Sequence, residues 1–350
     1  MRKLFIALIL LVMIVLGGCA IHAVSNPEAQ TMSKMLDGPL DTVSTITLYA
    51  WQGGEEPIDA IFTMLRDIDA RMSAVSGKSE IAAISAQAGS SVEVSADIFD
   101  LIKRSKVIGY ETDGAFDVTI RPVVDLWGVG TERARVPALS ELEDALGLVG
   151  YEDIVLNEAE SSVMLAREGM RLDLGGIAKG YACHRAVEIL KQSGVKHGII
   201  DLGGNVFAYG TRPDGTPWRV GVKNPLIGEN GPFCVVTVSD RAIVTSGVYE
   251  RFFEYDGDIY HHIMDPKTGF PPKNGLISVT VICGDSAYAD ALSTACFVLG
   301  PERGLKYIDA LPDAEGIFAA DDMNVWITKG LENHFRVTDE RFRLMSYGEE

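Results

Sequence analysis

The sequence predicts an α+β fold, in which helices form layers against a largely antiparallel sheet. Helical and strand-like segments are mixed along the chain without the strict alternation that is typical of parallel α/β proteins. Hydrophobic residues make up 47% of the 350 residues and charged residues 23%, which indicates a folded protein and excludes a disordered one. Because no linker marks a boundary, we expect one domain over residues 34–350.

The net charge limits the classes of partner. Asp and Glu total 49 and Lys and Arg total 31, so the formal charge is -18. A nucleic-acid binder needs a positive face for the phosphate backbone, and this balance disfavours it. A small phosphorylated ligand remains possible, because a bound metal ion can supply positive charge.

The N-terminus has the pattern of an export signal. Two basic residues precede an apolar run from Leu4 to Leu16, which is shorter than the ~20 residues that a spanning helix needs. The following Leu-Gly-Gly-Cys19 resembles a bacterial lipobox, which implies cleavage after residues 1–18 and lipidation of Cys19. Residues 19–33 would then be a tether, and the protein would be exported and anchored to the cell membrane. The alternative is an uncleaved anchor helix.

The first half of the remaining chain contains one strand and three helices. Thr42–Tyr49 is β-branched and aromatic, which favours a strand. Apolar residues recur at i, i+3, i+4 and i+7 from Pro57 to Met72, which predicts an amphipathic helix. Further helices are expected over Ala96–Glu111 and Leu139–Leu146.

The second half is richer in strands. A helix is expected after Gly175-Gly176 and should end near Ser193, with Gly194 as its terminating glycine. Another is expected over Ala287–Leu299 and should stop at Gly300-Pro301. Strands are predicted at Asp153–Leu156, Ser162–Leu165, Met170–Leu174, His197–Leu202, several places within Trp218–Val248, Leu276–Cys283, and the tail after Asp309.

The cysteines after Cys19 show no spacing typical of a metal site or a disulfide framework. They lie within apolar stretches, where an unpaired cysteine behaves as a small core residue. We therefore expect four free, buried thiols, at Cys183, Cys234, Cys283 and Cys296.

The first candidate site is the segment Arg171–Gly180. Two glycines separate a predicted strand from a helix whose first turns contain Lys179. Free N–H groups at a helix N-terminus favour an anion such as phosphate, and glycine lets a ligand approach the backbone closely. The segment is not a Walker A loop, since the required spacing is absent. An ordinary strand–turn–helix with a surface lysine fits the pattern equally well.

The second candidate is the predicted helix after Asp285. Asp290, Ser293 and Thr294 share one stripe of this helix, because residues three and four apart are neighbours on a helix surface. One carboxylate and two hydroxyls suit Mg²⁺, which prefers hard oxygen ligands. Zinc is disfavoured, since clustered Cys and His are absent from the sequence. Without further information, a solvated polar face is the simpler interpretation.

Two shorter segments complete the candidates. Tyr260–Gly269 holds two adjacent histidines before an Asp-Pro turn, and adjacent side chains on a strand point to opposite faces. One histidine can therefore enter a pocket and carry protons. In Gly114–Ile120, Phe116 offers a stacking face and Asp117 an acceptor, although a buried phenylalanine and a capping aspartate are the ordinary interpretation.

Taken together and in this order, these segments closely resemble the ApbE family of bacterial FAD:protein FMN transferases. The resemblance extends over about residues 35–307, and a lipobox ahead of it is common in the family. It implies an ApbE-like, T-fold-like domain and Mg²⁺-dependent cleavage of the FAD pyrophosphate. FMN would pass to a Thr or Ser hydroxyl of an exported flavoprotein through a phosphoester, and AMP would leave.

The resemblance also implies roles for individual residues. Mg²⁺ would be held by the Gly176 carbonyl with Asp290 and Thr294, and Ser293 would reach the ion through water. Beside the resemblance, we expect Asp290 and His262 to carry the catalysis, His262 as the base for the acceptor hydroxyl, with His261 as the alternative base. Many relatives have Met-Gly-Thr at residues 40–42 and an aromatic residue near position 75, where this chain differs. The implied FAD contacts are Leu40, Val75, Ala115, Phe116, Asp117, Asp173, Lys179 and Met264.

Two other functions remain open at the sequence level. Water could replace the acceptor hydroxyl, giving an FAD pyrophosphatase that releases FMN and AMP. A lipoprotein that binds flavin or another solute without chemistry also fits the signal and tether. A Ser-His-Asp hydrolase is disfavoured, because no Gly-x-Ser-x-Gly elbow occurs and Ser246 is interpreted as part of a turn.

Overall fold

A computed structural model describes residues 30–346 of the chain. The predicted signal over residues 1–18, the predicted lipidation site Cys19 and most of the predicted tether lie outside these residues. The first strand begins at Met32, two residues before the predicted start of the domain. Within residues 30–346, no helix is long and apolar enough to cross a bilayer.

The helices form where the apolar periodicity predicts them, with two additions. The predicted helices are confirmed with buried faces; α1, for example, buries Ile58, Ile61, Leu65 and Ile68. The additions are α2 and α4. The helices are Glu56–Met72 (α1), Glu80–Ala86 (α2), Ala96–Glu111 (α3), Arg121–Trp127 (α4), Leu139–Leu146 (α5), Ala178–Gln192 (α6) and Ser286–Asp309 (α7).

Most strands join one nine-stranded sheet, in the order β1-β2-β6-β7-β10-β13-β14-β15-β17. Its neighbours are antiparallel except β15 and β17. The strands are Met32–Asp37 (β1), Val43–Leu48 (β2), Val92–Glu93 (β3), Ile154–Asn157 (β4), Ser162–Leu165 (β5), His197–Leu202 (β6), Asn205–Gly210 (β7), Trp218–Lys223 (β8), Pro232–Val238 (β9), Arg241–Gly247 (β10), Phe252–Tyr255 (β11), Asp258–His261 (β12), Leu276–Cys283 (β13), Ala314–Ala320 (β14), Asn324–Ile327 (β15), Phe335–Val337 (β16) and Arg343–Leu344 (β17).

The large sheet is covered on both faces, which explains why β13 is apolar almost throughout. Side chains alternate between the faces of a strand. Val279 and Val281 pack in the main core with helices α1, α6 and α7. Ile282 faces the other way, into a second core with the small sheet β16-β9-β8. The architecture is thus helices, large sheet and small sheet in layers, and the predicted α+β class is confirmed.

A third apolar cluster lies beside these layers. Trp127 of α4 is fully buried there, and its indole N–H donates to the Gly269 carbonyl at 2.7 Å. The hairpin β11–β12 contributes Phe253 and Tyr260, whose rings pack on Trp127. Met264 belongs to the same cluster, so the turn after β12 is fixed against α4.

Two expectations about local structure are wrong, and a third is confirmed. The predicted strand Met170–Leu174 makes only an isolated bridge between Arg171 and Ile120. The predicted turn at Ser246 lies inside strand β10. The expected break at Gly300-Pro301 is confirmed, because Gly300 has φ 82° and is not helical. A second helical segment, which was not expected, follows from Pro301 to Asp309, since proline fits a first helical turn.

The prediction for the cysteines is confirmed. Cys183, Cys234, Cys283 and Cys296 are all free and buried. Burial raises the pKa of the Cys183, Cys234, Cys283 and Cys296 thiols, so they remain protonated core groups.

Candidate functional site

A cavity of about 340 Å³ opens where α6, α7, β10 and the turn after β12 meet. Every site residue implied by the sequence, except Ser293 and the predicted lipidation site Cys19, borders this cavity. A wider, more open groove of about 850 Å³ runs between α3 and α6 and contains none of them. The predicted site residues that border the cavity are Leu40, Val75, Ala115, Phe116, Asp117, Asp173, Gly176, Lys179, His262, Met264, Asp290 and Thr294.

The cavity surface has two parts, an inner wall and a rim. The inner wall consists of Gly176 and Lys179 near the start of α6, Asp290 and Thr294 of α7, and Ser246 of β10. The rim consists of Leu40, Asp41, Val75 and Arg251 at the mouth.

Helices α6 and α7 touch at Gly180, and this contact places Asp290. An ideal Cβ on Gly180 would lie 2.2 Å from the Ser286 carbonyl oxygen and 2.6 Å from Asp290 Cβ. Only glycine fits this approach. The Gly180 N–H donates to Asp290 Oδ2 at 2.7 Å, and the Ser286 hydroxyl donates to the Gly180 carbonyl at 2.7 Å. The last glycine of the first candidate segment therefore serves helix packing.

The glycine turn and the hydroxyl stripe of α7 face each other. An ideal Cβ on Gly176 would lie 3.5 Å from Thr294 Oγ1 and 3.1 Å from the Phe116 ring. The backbone of Gly176 therefore approaches both an oxygen donor of α7 and a buried aromatic ring. Segments more than a hundred residues apart in sequence come together as the sequence analysis requires.

Asp290 is a buried carboxylate without a counterion in direct contact. It is 5% exposed, and within residues 30–346 it forms no salt bridge. Burial raises the pKa of Asp290 to about 6, against the opposing charge of Lys179 and the Gly180 hydrogen bond. The interpretation of this helix stripe as a solvated face is wrong, since Ser293 is fully buried as well.

Ser293 does not border the cavity, because its position on α7 turns it toward β10. Its hydroxyl donates to the Asp290 carbonyl at 2.8 Å and lies 2.8 Å from Ser246 Oγ. Ser246 Oγ in turn lies 3.3 Å from Thr294 Oγ1. The geometry therefore places Thr294, and not Ser293, at the surface where a ligand would lie.

The two histidines separate as the strand pattern predicts. His261 ends β12, is 5% exposed and packs edge-on against Phe297. His262 borders the cavity, and its Nδ1 lies 3.3 Å from the Arg251 carbonyl oxygen. A carbonyl only accepts, so Nδ1 carries the proton and Nε2 keeps a free lone pair. Burial lowers the pKa of His262 to about 3, which keeps the ring neutral.

Asp117 and Asp173 are both held by protein donors. Asp117 accepts hydrogen bonds from the N–H and hydroxyl of Thr119 and from the Tyr151 N–H, at 2.7 to 2.8 Å. Burial raises the pKa of Asp117, which these bonds oppose. Asp173 accepts from the Gly175 N–H at 2.8 Å and forms an ion pair with Arg121 at 3.1 Å. Both carboxylates therefore also fix the loops that carry them.

The rim is strained and mostly exposed. Leu40 and Asp41 have φ of 59° and 53°, in a region of backbone conformation that residues other than glycine rarely adopt. The Leu40 N–H donates to Asp69 Oδ1 at 3.0 Å, and Asp41 reaches Arg251 at 3.8 Å. Val75 is 78% exposed. Strain of this kind persists only where surrounding contacts maintain it.

Sequence reasoning missed part of the cavity lining. Arg251 follows β10 in an unremarkable stretch, and Arg121 begins helix α4, which the sequence did not predict. Ser246 was noted within Thr-Ser-Gly but was interpreted as part of a turn, although it belongs to strand β10. The missed lining residues whose side chains carry charge or hydroxyl groups are Asp41, Asp69, Ser73, Arg121, Thr245, Ser246, Glu250 and Arg251.

The inner wall combines a helix start, a lysine, a buried carboxylate and a hydroxyl. This combination is suited to a phosphate ester together with a divalent cation. Within residues 30–346, no group of three or more His, Cys, Asp or Glu side chains could hold a metal. Any cation at the inner wall must therefore rely on hydroxyl, carbonyl or substrate oxygens besides Asp290.

Comparison with known proteins places the chain in a family. The sequence model of the ApbE family matches residues 40–318. A FAD:protein FMN transferase of Treponema pallidum is 36% identical over 322 residues, which cover 87% of this chain and 89% of that protein. One from Klebsiella pneumoniae is 33% identical, covering 86% of this chain and 94% of its own. The chain belongs to the ApbE family.

Solved structures support the same assignment. The crystal structure of the ApbE protein from Thermotoga maritima has a TM-score of 0.81 at 32% identity, covering 88% of this chain and all of that one. The Pseudomonas stutzeri flavinyl transferase ApbE has a TM-score of 0.77 at 27% identity, covering 87% of this chain and 97% of its own. The layered fold described above is thus the fold of this family.

Proposed function

We propose that the protein is a Mg²⁺-dependent FAD:protein FMN transferase. It cleaves the FAD pyrophosphate, attaches FMN to a Thr or Ser hydroxyl of an exported acceptor protein, and releases AMP. The observation that carries the proposal is the meeting of Asp290 and Thr294 with Gly176 at one cavity wall beside Lys179. The relatives that bear this enzyme name match over most of their length.

The inner wall fits a magnesium ion. Its donors are the Asp290 carboxylate, the Thr294 hydroxyl and the Gly176 carbonyl, all hard oxygens. The raised pKa of the buried Asp290 carboxylate indicates that its charge is poorly compensated by the protein alone. Bound Mg²⁺ would neutralise charge on the pyrophosphate and on the departing phosphate oxygen.

The chain's own groups would hold and orient FAD. The free N–H groups at the start of α6 and the Lys179 ammonium favour the pyrophosphate. Lys179 forms no ion pair within residues 30–346, so its charge is available to a ligand. Phe116, buried against Gly176, provides an apolar face for the flavin side of the substrate.

His262 would act on the acceptor. Its neutral ring presents Nε2, which takes the proton from the Thr or Ser hydroxyl. The hydroxyl oxygen forms a bond to the FMN phosphorus, and the bridging P–O bond breaks with its electron pair going to AMP. Phosphoryl-type transfer of this kind depends on positioning and charge stabilisation more than on covalent help from the protein.

The location outside the cytoplasm is part of the proposal. It rests on the basic and apolar N-terminus and on Leu-Gly-Gly-Cys19, all outside residues 30–346. Cells grown with labelled palmitate should incorporate label into the wild-type chain and not into Cys19→Ser. Equal labelling of both chains would contradict lipidation at Cys19.

The activity is tested with the purified full-length protein in detergent micelles. Incubation with FAD, Mg²⁺ and a candidate acceptor should give a fluorescent acceptor band and one AMP per FMN attached. FMN and AMP in solution with no labelled acceptor would instead identify a pyrophosphatase. FAD that is bound but remains intact with any acceptor would identify a binding protein.

A further inference from the structure

A row of three hydroxyls connects strand β10 to helix α7 behind the inner wall. Ser246 Oγ lies between Ser293 Oγ, at 2.8 Å, and Thr294 Oγ1, at 3.3 Å. Ser293 is completely buried, and only Ser246 and Thr294 reach the cavity. Ser246 is not among the site residues that the sequence implied, and it takes no part in the proposed transfer step.

The number of hydroxyl protons determines which hydroxyl of this row donates to which. The Ser293 hydroxyl has one proton, and it donates that proton to the Asp290 carbonyl at 2.8 Å, since a carbonyl only accepts. Ser293 Oγ can therefore only accept from Ser246. Ser246 thus donates to Ser293, and its own oxygen is left to accept from Thr294.

This order has a consequence for Thr294. When its proton points to Ser246, its lone pairs face the cavity and the Gly176 backbone, which lies on that side. A hydroxyl can coordinate a cation only through a lone pair, with its proton directed elsewhere. The row therefore prepares Thr294 as an acceptor before any cation arrives.

We propose that Ser246 is a positioning residue that, together with Ser293, sets the orientation of the Thr294 hydroxyl for divalent-cation binding. This role rests on the proposed function, because it takes Thr294 as a ligand of the cation. It also gives Ser293 a place in the site without direct contact with the ion. Partners behind a metal ligand typically change metal affinity by about 10- to 100-fold when they are removed.

The test is the dissociation constant of Mn²⁺, measured by electron paramagnetic resonance on the full-length protein in micelles without FAD. Ser246→Ala should weaken Mn²⁺ binding by about tenfold. Ser246→Thr retains a hydroxyl and should restore most of the affinity. Ser105→Ala is the matched control, because it removes a buried hydroxyl of helix α3 that donates to the Leu101 carbonyl at 2.8 Å, and neither residue borders the cavity.

Ser293→Ala provides a second route that does not depend on how Ser246→Ala folds. Without Ser293, Ser246 can donate to Thr294 instead, which reverses the row and directs the Thr294 proton at the cation. Ser293→Ala should therefore weaken Mn²⁺ binding by about as much as Ser246→Ala. The double variant should be no weaker than either single one, because both act through one row.

The outcomes distinguish the positioning role of Ser246 from the proposed cation site on which that role depends. Tight binding to the wild type that both Ser246→Ala and Ser293→Ala leave unchanged would overturn the positioning role alone. Additive losses in the double variant would also overturn it, since they indicate independent contacts. A wild-type protein that binds no Mn²⁺, or an Asp290→Asn variant that binds it as tightly as the wild type, would overturn the cation site itself.

Discussion

The inner wall and the rim of the cavity are built in opposite ways. The inner wall is half-buried around the buried Asp290, and hydrogen bonds link it across three elements, such as the Gly180 N–H to Asp290 and the contact of Ser246 with Ser293. The rim is mostly exposed, and two of its residues have left-handed backbone conformations. Its only ion pair within residues 30–346, between Asp41 and Arg251, spans 3.8 Å in solvent and contributes little.

This contrast corresponds to two tasks. Neutralising a pyrophosphate requires charges and lone pairs at fixed positions, and low dielectric surroundings strengthen them. Admitting a flavin and an acceptor protein requires a surface that tolerates different shapes. We therefore expect changes in the inner wall to affect the rate steeply and changes at the rim to affect binding or stability mildly.

The largest effect is expected for Asp290→Asn. Asparagine can still accept from the Gly180 N–H, but it removes the only carboxylate of the inner wall. The rate of transfer should fall by about 10³-fold, which corresponds to the loss of ~4 kcal/mol of charge stabilisation. Single-turnover kinetics with saturating FAD would measure it.

A thermal melt serves as the control for this variant. Because the charged form of buried Asp290 is unfavourable without a cation, metal-free Asp290→Asn should melt at the same temperature as the wild type or higher. Mg²⁺ should raise the melting temperature of the wild type only. A variant that retains full activity would contradict the assignment of the inner wall.

The next effect is expected for His262→Gln. Loss of the proton acceptor at Nε2 should lower the transfer rate by about 10²-fold while the KM for FAD changes little. His261→Gln is the matched control, since His261 faces Phe297 and not the cavity. A His261 variant slower than the His262 variant would reverse the assignment.

The pH dependence follows from the lowered pKa of these histidines. In the folded state the pKa of His262 is about 3 and that of His261 about 4, against about 6.5 in an unfolded chain. At saturating Mg²⁺ the transfer rate should therefore show no loss around pH 6.5 from His262. The stability that these neutral rings contribute is present above pH 6.5 and is lost as the pH falls toward 4 and 3.

A smaller effect is expected at the rim for Val75→Tyr. Val75 is 78% exposed and borders the cavity, so a tyrosine can be accommodated without repacking the core. A ring at this position should stack on the flavin and lower the Kd of FAD by about threefold to tenfold. Fluorescence quenching of FAD would report it, and a weaker Kd would show that the flavin does not lie near Val75.

The smallest effect is expected for Asp41→Gly. Glycine adopts φ near 53° without strain, so the free energy of unfolding should rise by about 0.5 kcal/mol. Asp37→Gly is the matched control at the end of strand β1, where glycine should instead be destabilising. Urea unfolding that shows equal losses for both variants would contradict strain at the rim.

Periodicity predicted the helices well, because α3 and α5 bury one regular stripe each. Periodicity failed where tertiary contacts determine the secondary structure. Met170–Leu174 is apolar like a strand but finds only one bridging partner. Helix α4 begins at Arg121-Pro122 and is too short for its period to be visible, although its Trp127 anchors a separate apolar cluster.

The same division holds within the site. The four-residue spacing was enough to predict that Asp290 and Thr294 lie on one face of a helix, since a helix has 3.6 residues per turn. It could not show that Ser293 turns toward β10, because that depends on the strand packed behind it. The partnership of Ser246 with α7 joins two elements that are distant in sequence, and no local pattern contains it.

The central claim is that Gly176, Asp290 and Thr294 surround one divalent cation. Anomalous diffraction from crystals grown with Mn²⁺ tests it most directly, since the ion itself is located. The account predicts one strong peak within coordination distance, about 2.0–2.6 Å, of the Asp290 carboxylate and the Thr294 hydroxyl, on the side of the Gly176 carbonyl. A transfer-competent crystal whose only peak lies away from all three residues would contradict it.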